Sequence, residues 1–194
     1  MIIWINGAFD AGKTQTACEL QRRLPGSYIY DPENAGFFIR SNLPASIGVE
    51  DFQDYSMWRA FNLKMLDYIC ERYDGHIIVP MTITNRIYYE ELVGALSQKY
   101  DVKHVILYAT KQTLLKRLAS RFEGGNSWAA QQIDRCIQAF NEDIVEHRVH
   151  TDELNIEQVV ERIAQIAGIA LSPDRRSSLR KRLDRIVTQC KHIR

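Results

Sequence analysis

The sequence predicts an α/β protein of three layers, in which helices cover both faces of a five-stranded parallel sheet. Five short apolar runs alternate with longer segments of helical periodicity, the order expected of successive strand–helix units. The runs at residues 1–6 and 76–82 are almost continuously apolar, which is typical of parallel strands buried on both faces. A chain of 194 residues with 45% hydrophobic and 25% charged residues is most simply one globular domain.

The loop after the first predicted strand carries a specific motif, Gly7-Ala-Phe-Asp-Ala-Gly12-Lys13-Thr14. A helix is predicted to follow it as far as Leu24, so the G-x-x-x-x-G-K-[ST] pattern stands in the context that it requires. The glycines let main-chain N–H groups turn around a phosphate, and the helix directs its first amides to the same point. We therefore predict a nucleotide-phosphate site, or P-loop, formed by Gly7, Ala8, Phe9, Asp10, Ala11, Gly12, Lys13, Thr14 and Gln15.

Three side chains of this loop have predicted roles. Lys13 is expected to reach the β- and γ-phosphates of ATP, and the Thr14 hydroxyl is expected to bind Mg²⁺. Asp10 places a carboxylate where the loop should attract anions. Two interpretations of Asp10 stay open: a solvated loop residue, or a group that orients a metal-bound water or the phosphate acceptor.

A second strand is predicted at residues 27–31, with a helix beginning near Glu33. Asp31 ends this strand, and ligands of parallel sheets gather at the carboxyl ends of the strands. Asp31 is therefore predicted to accept a proton from an acceptor hydroxyl, or to hold Mg²⁺ through water. The other interpretation is an aspartate that only terminates a strand in a turn.

Residues 37–73 are rich in aromatic and basic side chains. Helical spacing predicts mostly core positions for one set, Trp58, Phe61, Met65, Tyr68 and Ile69. The segment between the second and third strands also commonly forms the acceptor pocket of α/β phosphotransferases. An aromatic wall with Arg40 and Arg59 would suit a ring-bearing, polar acceptor, and the residues alone are compatible with both interpretations.

The third predicted strand, residues 76–82, ends in Pro80, Met81 and Thr82 rather than in the acid that often organises Mg²⁺ there. A helix at 85–98 and a fourth strand at 103–109 follow. Thr110 is predicted to cap the next helix, which a glycine-containing break at 124–128 separates from a further helix at 129–146.

The two helices around that break carry arginines and are predicted to form a lid at about residues 117–135. Arg117 is expected to stack on adenine, because a guanidinium lies flat on rings. Arg121 and Arg135 are expected to neutralise charge on the transferring phosphoryl group. A solvated basic helix face is the alternative.

A fifth strand is predicted at 148–152, and Asn155 is predicted to cap a helix that ends at Ala167, within an α/β domain of residues 1–172. Residues 173–194 are predicted to form a basic amphipathic helix that begins near Pro173. Residues 174–194 contain eight Lys or Arg against two Asp or Glu. Its apolar positions are Leu179, Leu183, Ile186, Val187, Cys190 and Ile193. This helix is expected to pack its apolar stripe on the body or to lie on an anionic membrane, and nucleic-acid binding is least favoured.

Several classes of protein are disfavoured by composition. The sequence contains no run of eighteen apolar residues, so no transmembrane helix is predicted. The N-terminal apolar run is short, has no basic region before it and leads directly into the P-loop, so it is not predicted to be a signal peptide. Cys18, Cys70, Cys136 and Cys190 are scattered, which favours reduced thiols over a disulfide framework or a zinc site. We therefore expect a cytoplasmic protein, with the final helix as the segment that could rest on the inner face of the membrane.

The chain resembles the bacterial tunicamycin-resistance ATP-binding protein family, which belongs to the P-loop kinase-like group. The segments that carry the resemblance are Trp4-Ile-Asn-Gly-Ala-Phe9, Gly12-Lys-Thr-Gln-Thr-Ala17, Tyr30-Asp-Pro-Glu33, Val79-Pro-Met-Thr-Ile83, Leu114-Leu-Lys-Arg-Leu118, Asn126-Ser-Trp-Ala-Ala130 and Gln132-Ile-Asp-Arg-Cys136. The resemblance implies a nucleoside- and nucleotide-kinase-like P-loop NTPase fold and ATP binding at residues 7–14. It also implies resistance to tunicamycin, a uridine-containing nucleoside antibiotic, and a C-terminal region that attaches to the membrane. At Asp10 the family loop usually has glycine.

We therefore predict an ATP- and Mg²⁺-dependent phosphotransferase that modifies a hydroxyl of a nucleoside-like acceptor, with tunicamycin suggested by the resemblance. The alternative is an ATP-gated protein that binds the drug at the membrane surface without chemistry. The absent third-strand acid and the basic C-terminal segment favour this alternative. A kinase acting on RNA or DNA ends is suggested only by basic charge.

Overall fold

The computed structural model describes residues 1–120 and 127–191, with side chains of the last helix described as far as Thr188. The strands are β1 (Ile2–Gly7), β2 (Ser27–Ile29), β3 (His76–Pro80), β4 (Val102–Tyr108) and β5 (His147–His150). The α-helices are α1 (Lys13–Arg23), α2 (Glu33–Ser41), α3 (Ser56–Arg72), α4 (Arg86–Tyr89), α5 (Ala95–Ser97), α6 (Lys111–Ala119), α7 (Trp128–Glu142), α8 (Ile156–Ala167) and α9 (Ser178–Lys191). Short 3₁₀ turns lie at Ala45–Ile47 and Phe52–Asp54, and a π-helical segment (Glu90–Gly94) joins α4 to α5.

The five strands form one parallel sheet in the order β2-β3-β1-β4-β5, so the first strand is also the central one. All six residues of β1 are buried, which explains its continuous apolar character. Helix α1 packs with α8 and α9, and α3 packs with α2, the π-helical segment and α5. The predicted α/β class, with helices flanking a five-stranded parallel sheet, is confirmed.

A buried asparagine fixes the end of β1, from which the P-loop departs. The Asn6 side-chain oxygen accepts from the N–H groups of Gly7 (2.8 Å) and Ile83 (2.9 Å). Its amide nitrogen donates to the Ile83 carbonyl (2.9 Å) and lies 3.1 Å from Nε2 of His104. Burial lowers the pKa of His104 to about 3, so this imidazole is neutral at pH 7 and can accept the bond from Asn6. Three neighbouring segments of chain are thus held at the start of the loop.

Most predicted element boundaries agree with the structure to within a few residues. The side chains of Thr110 and Asn155 cap α6 and α8 as predicted, and Gln158 completes a capping box at Asn155. Strand β2 ends at Ile29 rather than at Asp31, although the Tyr30 N–H still donates to the Ile78 carbonyl.

The prediction of core positions along α3 was partly wrong. Trp58 is fully buried, but Phe61 and Tyr68 are about half exposed, at 48% and 58%. The buried face of α3 is formed by Trp58, Asn62 and Leu66, four residues apart. Asn62 is polar but satisfied, because it accepts from the Tyr30 hydroxyl (2.7 Å) and donates to the Trp58 carbonyl (2.8 Å). Because Asn62 is polar, the apolar periodicity of the sequence did not indicate that this face of α3 is buried.

For the C-terminal segment, the predicted start of the helix was wrong, and one of the two alternatives for its apolar face is not observed. Helix α9 begins at Ser178 instead of near Pro173, and in the segment before it the Asp174 side chain accepts from the Arg176 N–H (3.0 Å). The apolar side chains described on α9 do not pack on the body: Leu179, Leu183, Ile186 and Val187 are 49–75% exposed. The helix instead contacts α1 through polar and charged groups.

Candidate functional site

The P-loop has the backbone geometry that its glycines predict. Gly7 has φ 147°, and a Cβ at this position would lie 2.7 Å from the carbonyl oxygen of Leu107 on β4. Gly12 has φ 96° and caps the start of α1 without a side chain. Because the first amides of a helix have no partner within the helix, this end of α1 is suited to bind an anion. Ala8 and Ala11 are buried within the loop, and the Ala11 N–H donates to the Ala8 carbonyl (3.1 Å).

Lys13 is folded over the loop that it follows. Its Nζ donates to the carbonyl oxygens of Gly7 (3.1 Å) and Ala8 (3.0 Å) and lies 5.6 Å from the ring centre of Phe9. The Gly7 carbonyl also accepts from the Thr82 hydroxyl (2.8 Å), which ties the loop to the residues after β3. These partners are neutral, so a phosphate would attract the ammonium group more strongly than they do.

A cleft of about 630 Å³ opens beside the P-loop, and we call it the main cleft. It is lined by Asp10, Lys13 and Thr14 of the loop, by Asp31, by Pro80 at the end of β3 and by Met81 after it. The structure thus brings the predicted phosphate-binding and acceptor-binding residues to one cavity. Its volume is within the range usual for small-molecule sites.

Asp31 is positioned by the start of α2. One of its carboxylate oxygens accepts from the Glu33 N–H (3.0 Å), the turn geometry that a strand-terminating aspartate would adopt. Next to it, the Trp58 indole N–H donates to the Pro32 carbonyl (3.0 Å), which fixes this turn to the buried face of α3. Asp31 therefore takes part in a turn and also lines the main cleft.

An aromatic wall lies opposite the P-loop, as one interpretation of residues 37–73 predicted. Phe37 and Phe52 make an edge contact with ring centres 6.0 Å apart, and the Arg40 guanidinium is 5.6 Å from the Phe52 ring. All three line the main cleft. Arg59 is not among the lining residues; its guanidinium pairs with Glu91 and stacks over the Tyr88 ring at 4.1 Å.

A second cavity of about 360 Å³, the side cavity, adjoins the other side of the loop. It is lined by Gly12 and Gln15 of the α1 start, by Arg117 of α6, by Asn155 and by Arg185 of α9. Arg117 donates to the Thr151 hydroxyl (3.1 Å) and carbonyl (2.7 Å). Burial lowers the pKa of Arg117, while Asp152 and Asp10 act in the opposite direction.

The other two predicted lid arginines are placed differently. Arg135 of α7 is half exposed and pairs with Asp51 (3.4 Å), a residue that lines the main cleft. Arg121 lies outside the described residues, as does most of the glycine-containing break that was predicted to join the lid helices.

Sequence reasoning missed several residues of the main cleft: Glu33, Glu50, Asp51, Gln53 and Trp128. Trp128 begins α7 and makes an edge contact with Phe9 of the P-loop, with ring centres 5.0 Å apart. From the sequence, Trp128 was predicted to lie in the glycine-containing break and formed part of the family resemblance, but neither signal placed it in a cleft. Glu33 is the first residue of α2, whereas Glu50 and Asp51 come from a loop without periodicity, in which no local pattern could have assigned them.

Two further observations concern the described part of the chain. It contains no group of three or more His, Cys, Asp or Glu side chains arranged to hold a metal ion. Thr14 and Asp31, the predicted Mg²⁺ ligands, both line the main cleft. No described helix has both the length and the apolar content needed to cross a membrane.

The sheet order and the P-loop define a P-loop kinase-type protein. A sugar kinase from Janibacter sp. HTCC2649 has the same fold with TM-score 0.63 and 16% identity, covering 87% of this chain and 95% of that one. Shikimate kinase from Bacteroides thetaiotaomicron matches with TM-score 0.60 and 18% identity, over 87% and 99% of the two chains.

The tunicamycin resistance protein of Deinococcus radiodurans is more similar, with TM-score 0.74 and 30% identity over 89% of this chain and 99% of that one. The present chain therefore belongs to the tunicamycin-resistance family of P-loop kinase-like proteins. No family model matches the chain, and no curated protein sequence does so either.

Proposed function

We propose that this protein is an ATP-dependent phosphotransferase that acts on a hydroxyl of a small, nucleoside-like molecule. The observation that carries the proposal is the main cleft, which joins Lys13 and Thr14 of the P-loop to the Asp31 carboxylate in a single cavity. A phosphoryl donor held on the loop and an acceptor held near Asp31 would share this space. Positioning and charge stabilisation are what phosphoryl transfer requires from a protein.

The loop residues fit a Mg²⁺–nucleotide, which supplies the phosphoryl group. The first amides of α1 would bind the phosphate oxygens, the Thr14 hydroxyl would ligate the metal, and Lys13 would exchange its carbonyl partners for the β- and γ-phosphates. Asp31 would hold the acceptor hydroxyl and take its proton, or hold Mg²⁺ through water. Arg117, Arg121 and Arg135 are proposed as lid residues, with Arg117 stacking on the base from the side cavity.

The charge of the main cleft supports an acceptor without a strong negative charge. Among the residues that the structure describes, five carboxylates line it against two cations, Lys13 and Arg40, a formal balance of −3. An aromatic wall with carboxylates around it suits a neutral ring that carries many hydroxyl groups. We propose tunicamycin as such an acceptor, because the Deinococcus radiodurans relative is named for resistance to it.

Phosphorus NMR of the purified protein with Mg-ATP and tunicamycin tests the reaction. We expect a new phosphoester resonance, together with ADP. Lys13→Ala should slow its appearance by about 100- to 1000-fold, an effect of about 3–4 kcal/mol for a lost preorganised donor. Asp31→Asn keeps the oxygen that accepts from Glu33, and should reduce turnover far more than ATP binding. Lys64→Ala, which removes an exposed lysine from α3, is the control. Parental rates in both site variants would refute the assignment.

A second candidate is a protein that sequesters the drug without chemistry, because β3 is followed by Met81 and Thr82 rather than by a metal-organising acid. The same NMR experiment separates the two candidates. Tight binding of tunicamycin with unchanged ATP would favour sequestration.

We also propose that α9 contacts an anionic membrane surface. Leu179, Leu183, Ile186 and Val187 expose an apolar face, and the exposed Arg182 lies beside it. The protein should co-sediment with vesicles of phosphatidylglycerol and phosphatidylcholine. A Leu183→Ser and Ile186→Ser double variant should lose this binding. Phe38→Ser, which removes a more exposed apolar side chain from α2, should retain it, and equal loss in both would refute the proposal.

A further inference from the structure

Helix α9 is anchored to the helix that follows the P-loop. Arg176, just before α9, bonds Asp174 (2.8 and 2.9 Å), Asp184 (2.8 Å) and the buried Glu19 of α1. Bonding from Arg176 lowers the pKa of Asp174, so this carboxylate is ionised at neutral pH. Arg22 of α1 donates to the buried Thr188 hydroxyl (3.4 Å). These contacts fix the rotation of α9 about its axis.

This rotation brings Arg185 to the first turn of α1. The Gln15 side chain donates to the Arg185 carbonyl (2.9 Å), so the backbone of α9 lies against a P-loop residue. The Arg185 side chain lines the side cavity together with Gly12, Gln15 and Arg117. Residues far apart in sequence therefore form one cavity against the phosphate loop.

The Arg185 guanidinium is held only loosely by the protein. Its ion-pair partner is Glu157 at 3.5 Å, an oxygen that also lies 3.8 Å from Lys181. The side chain remains 40% exposed. Such a group can turn towards a ligand at small cost, because an exposed ion pair of this length contributes little.

We propose that Arg185 of α9 is a nucleotide-binding residue that contacts the base and ribose in the side cavity. This inference rests on the proposed nucleotide site, and it makes α9 one side of the cavity that binds the nucleoside. A guanidinium provides five donors in one plane and stacks on aromatic rings, so it suits the nucleoside half of a nucleotide. Nucleotide binding and the docking of α9 on α1 are then coupled.

Calorimetry with two probes, ATP and inorganic tripolyphosphate, tests the assignment on the full-length protein. Arg185→Ala should weaken ATP binding about tenfold and change tripolyphosphate binding less than about twofold. Arg182→Ala removes the same charge from an exposed position of the same helix and should leave both affinities within about twofold. Circular dichroism of each variant verifies that the fold is retained.

The outcomes separate this inference from the function on which it depends. If the parental protein binds ATP and Arg185→Ala binds it equally well, α9 is not part of the site. An equal loss of ATP and tripolyphosphate binding in Arg185→Ala would also overturn the assignment, because the contact would then be to phosphate or through general charge. If the parental protein binds neither probe, the proposed nucleotide site itself is wrong.

Discussion

At the scale of single residues, Asp10 is the unusual feature of the P-loop. Its φ of 58° makes it the one non-glycine residue with positive φ among the described residues. Aspartate tolerates this left-handed conformation better than most residues, but glycine adopts it without a steric cost. The family preference for glycine at this position, noted from the sequence, therefore has a backbone explanation. Asp10 also lines both cavities, so its charge faces any nucleotide that occupies them.

We predict that Asp10→Gly and Asp10→Ala both strengthen ATP binding about three- to tenfold, because each removes a negative charge beside a polyanion. The two variants should differ in stability. Alanine should be about 1 kcal/mol less stable than glycine here, since only glycine is unstrained at positive φ. Calorimetry and urea unfolding measure the two effects. Unchanged ATP affinity in both variants would show that the charge of Asp10 does not act on the bound nucleotide, whereas a loss of turnover at saturating ATP would assign the carboxylate to the reaction.

The residues of the site differ in how far sequence could predict them. The P-loop could be predicted because its chemistry lies within eight consecutive residues, from Gly7 to Thr14. Asp31 could be predicted from topology, since parallel strands end at a common edge. Asp51 and Trp128 reach the main cleft only through the packing of distant segments, which no local pattern records.

At the scale of elements, the aromatic wall depends on a close approach between α2 and the 3₁₀ turn at Phe52–Asp54. A Cβ added to Gly36 of α2 would lie 2.5 Å from the Phe52 ring. Trp58 also contacts this ring, with centres 5.4 Å apart, so Phe52 has little room to move. The absence of a side chain at Gly36 thus permits the position of Phe52 in the main cleft.

We predict that Gly36→Ala lowers the free energy of unfolding, although alanine is the better helix former by about 1 kcal/mol. Overpacking against a confined ring typically costs about 1–3 kcal/mol, so the clash should outweigh the propensity gain. The displaced Phe52 should also raise KM for the acceptor while leaving ATP affinity unchanged. Adding Phe52→Leu should restore stability. A single Gly36→Ala variant that is more stable than the parent would contradict the argument.

At the scale of the whole molecule, the sheet was predictable and the attachment of α9 was not. Parallel strands that are buried on both faces are almost continuously apolar, which made them recognisable in the sequence. The first strand is the most continuously apolar because it lies at the centre of the sheet, between β3 and β4. The periodicity of α9 predicted an apolar face and a charged face, but it did not indicate which of the two would pack against the rest of the protein. Its charged face packs inward because Glu19 and Glu157 on α1 and α8 provide partners for Arg176, Lys181 and Arg185.

The stability of the whole fold should depend on pH through His104, which is 4% exposed at the centre of the sheet. Burial first, and the charge of His147 second, lower its pKa from 6.5 to about 3. Between pH 6.5 and about pH 3, His104 is protonated in the unfolded chain but neutral in the folded protein. Stability from this group is therefore complete above pH 6.5 and falls as the pH decreases towards 3, by roughly 1.4 kcal/mol per pH unit.

We predict that His104→Gln, whose amide can still accept from Asn6, loses less stability on acidification than the parent. Between pH 7.5 and 5.5 the parent should lose about 1.4 kcal/mol more than the variant, because the histidine term begins near pH 6.5. Urea unfolding at the two pH values measures the difference, and ionisations shared by both proteins cancel. His150→Gln, an exposed histidine on β5, is the matched control and should follow the parent. If His104→Gln also follows the parent, the pKa of His104 is not lowered by folding, and the argument that burial keeps this imidazole neutral is wrong.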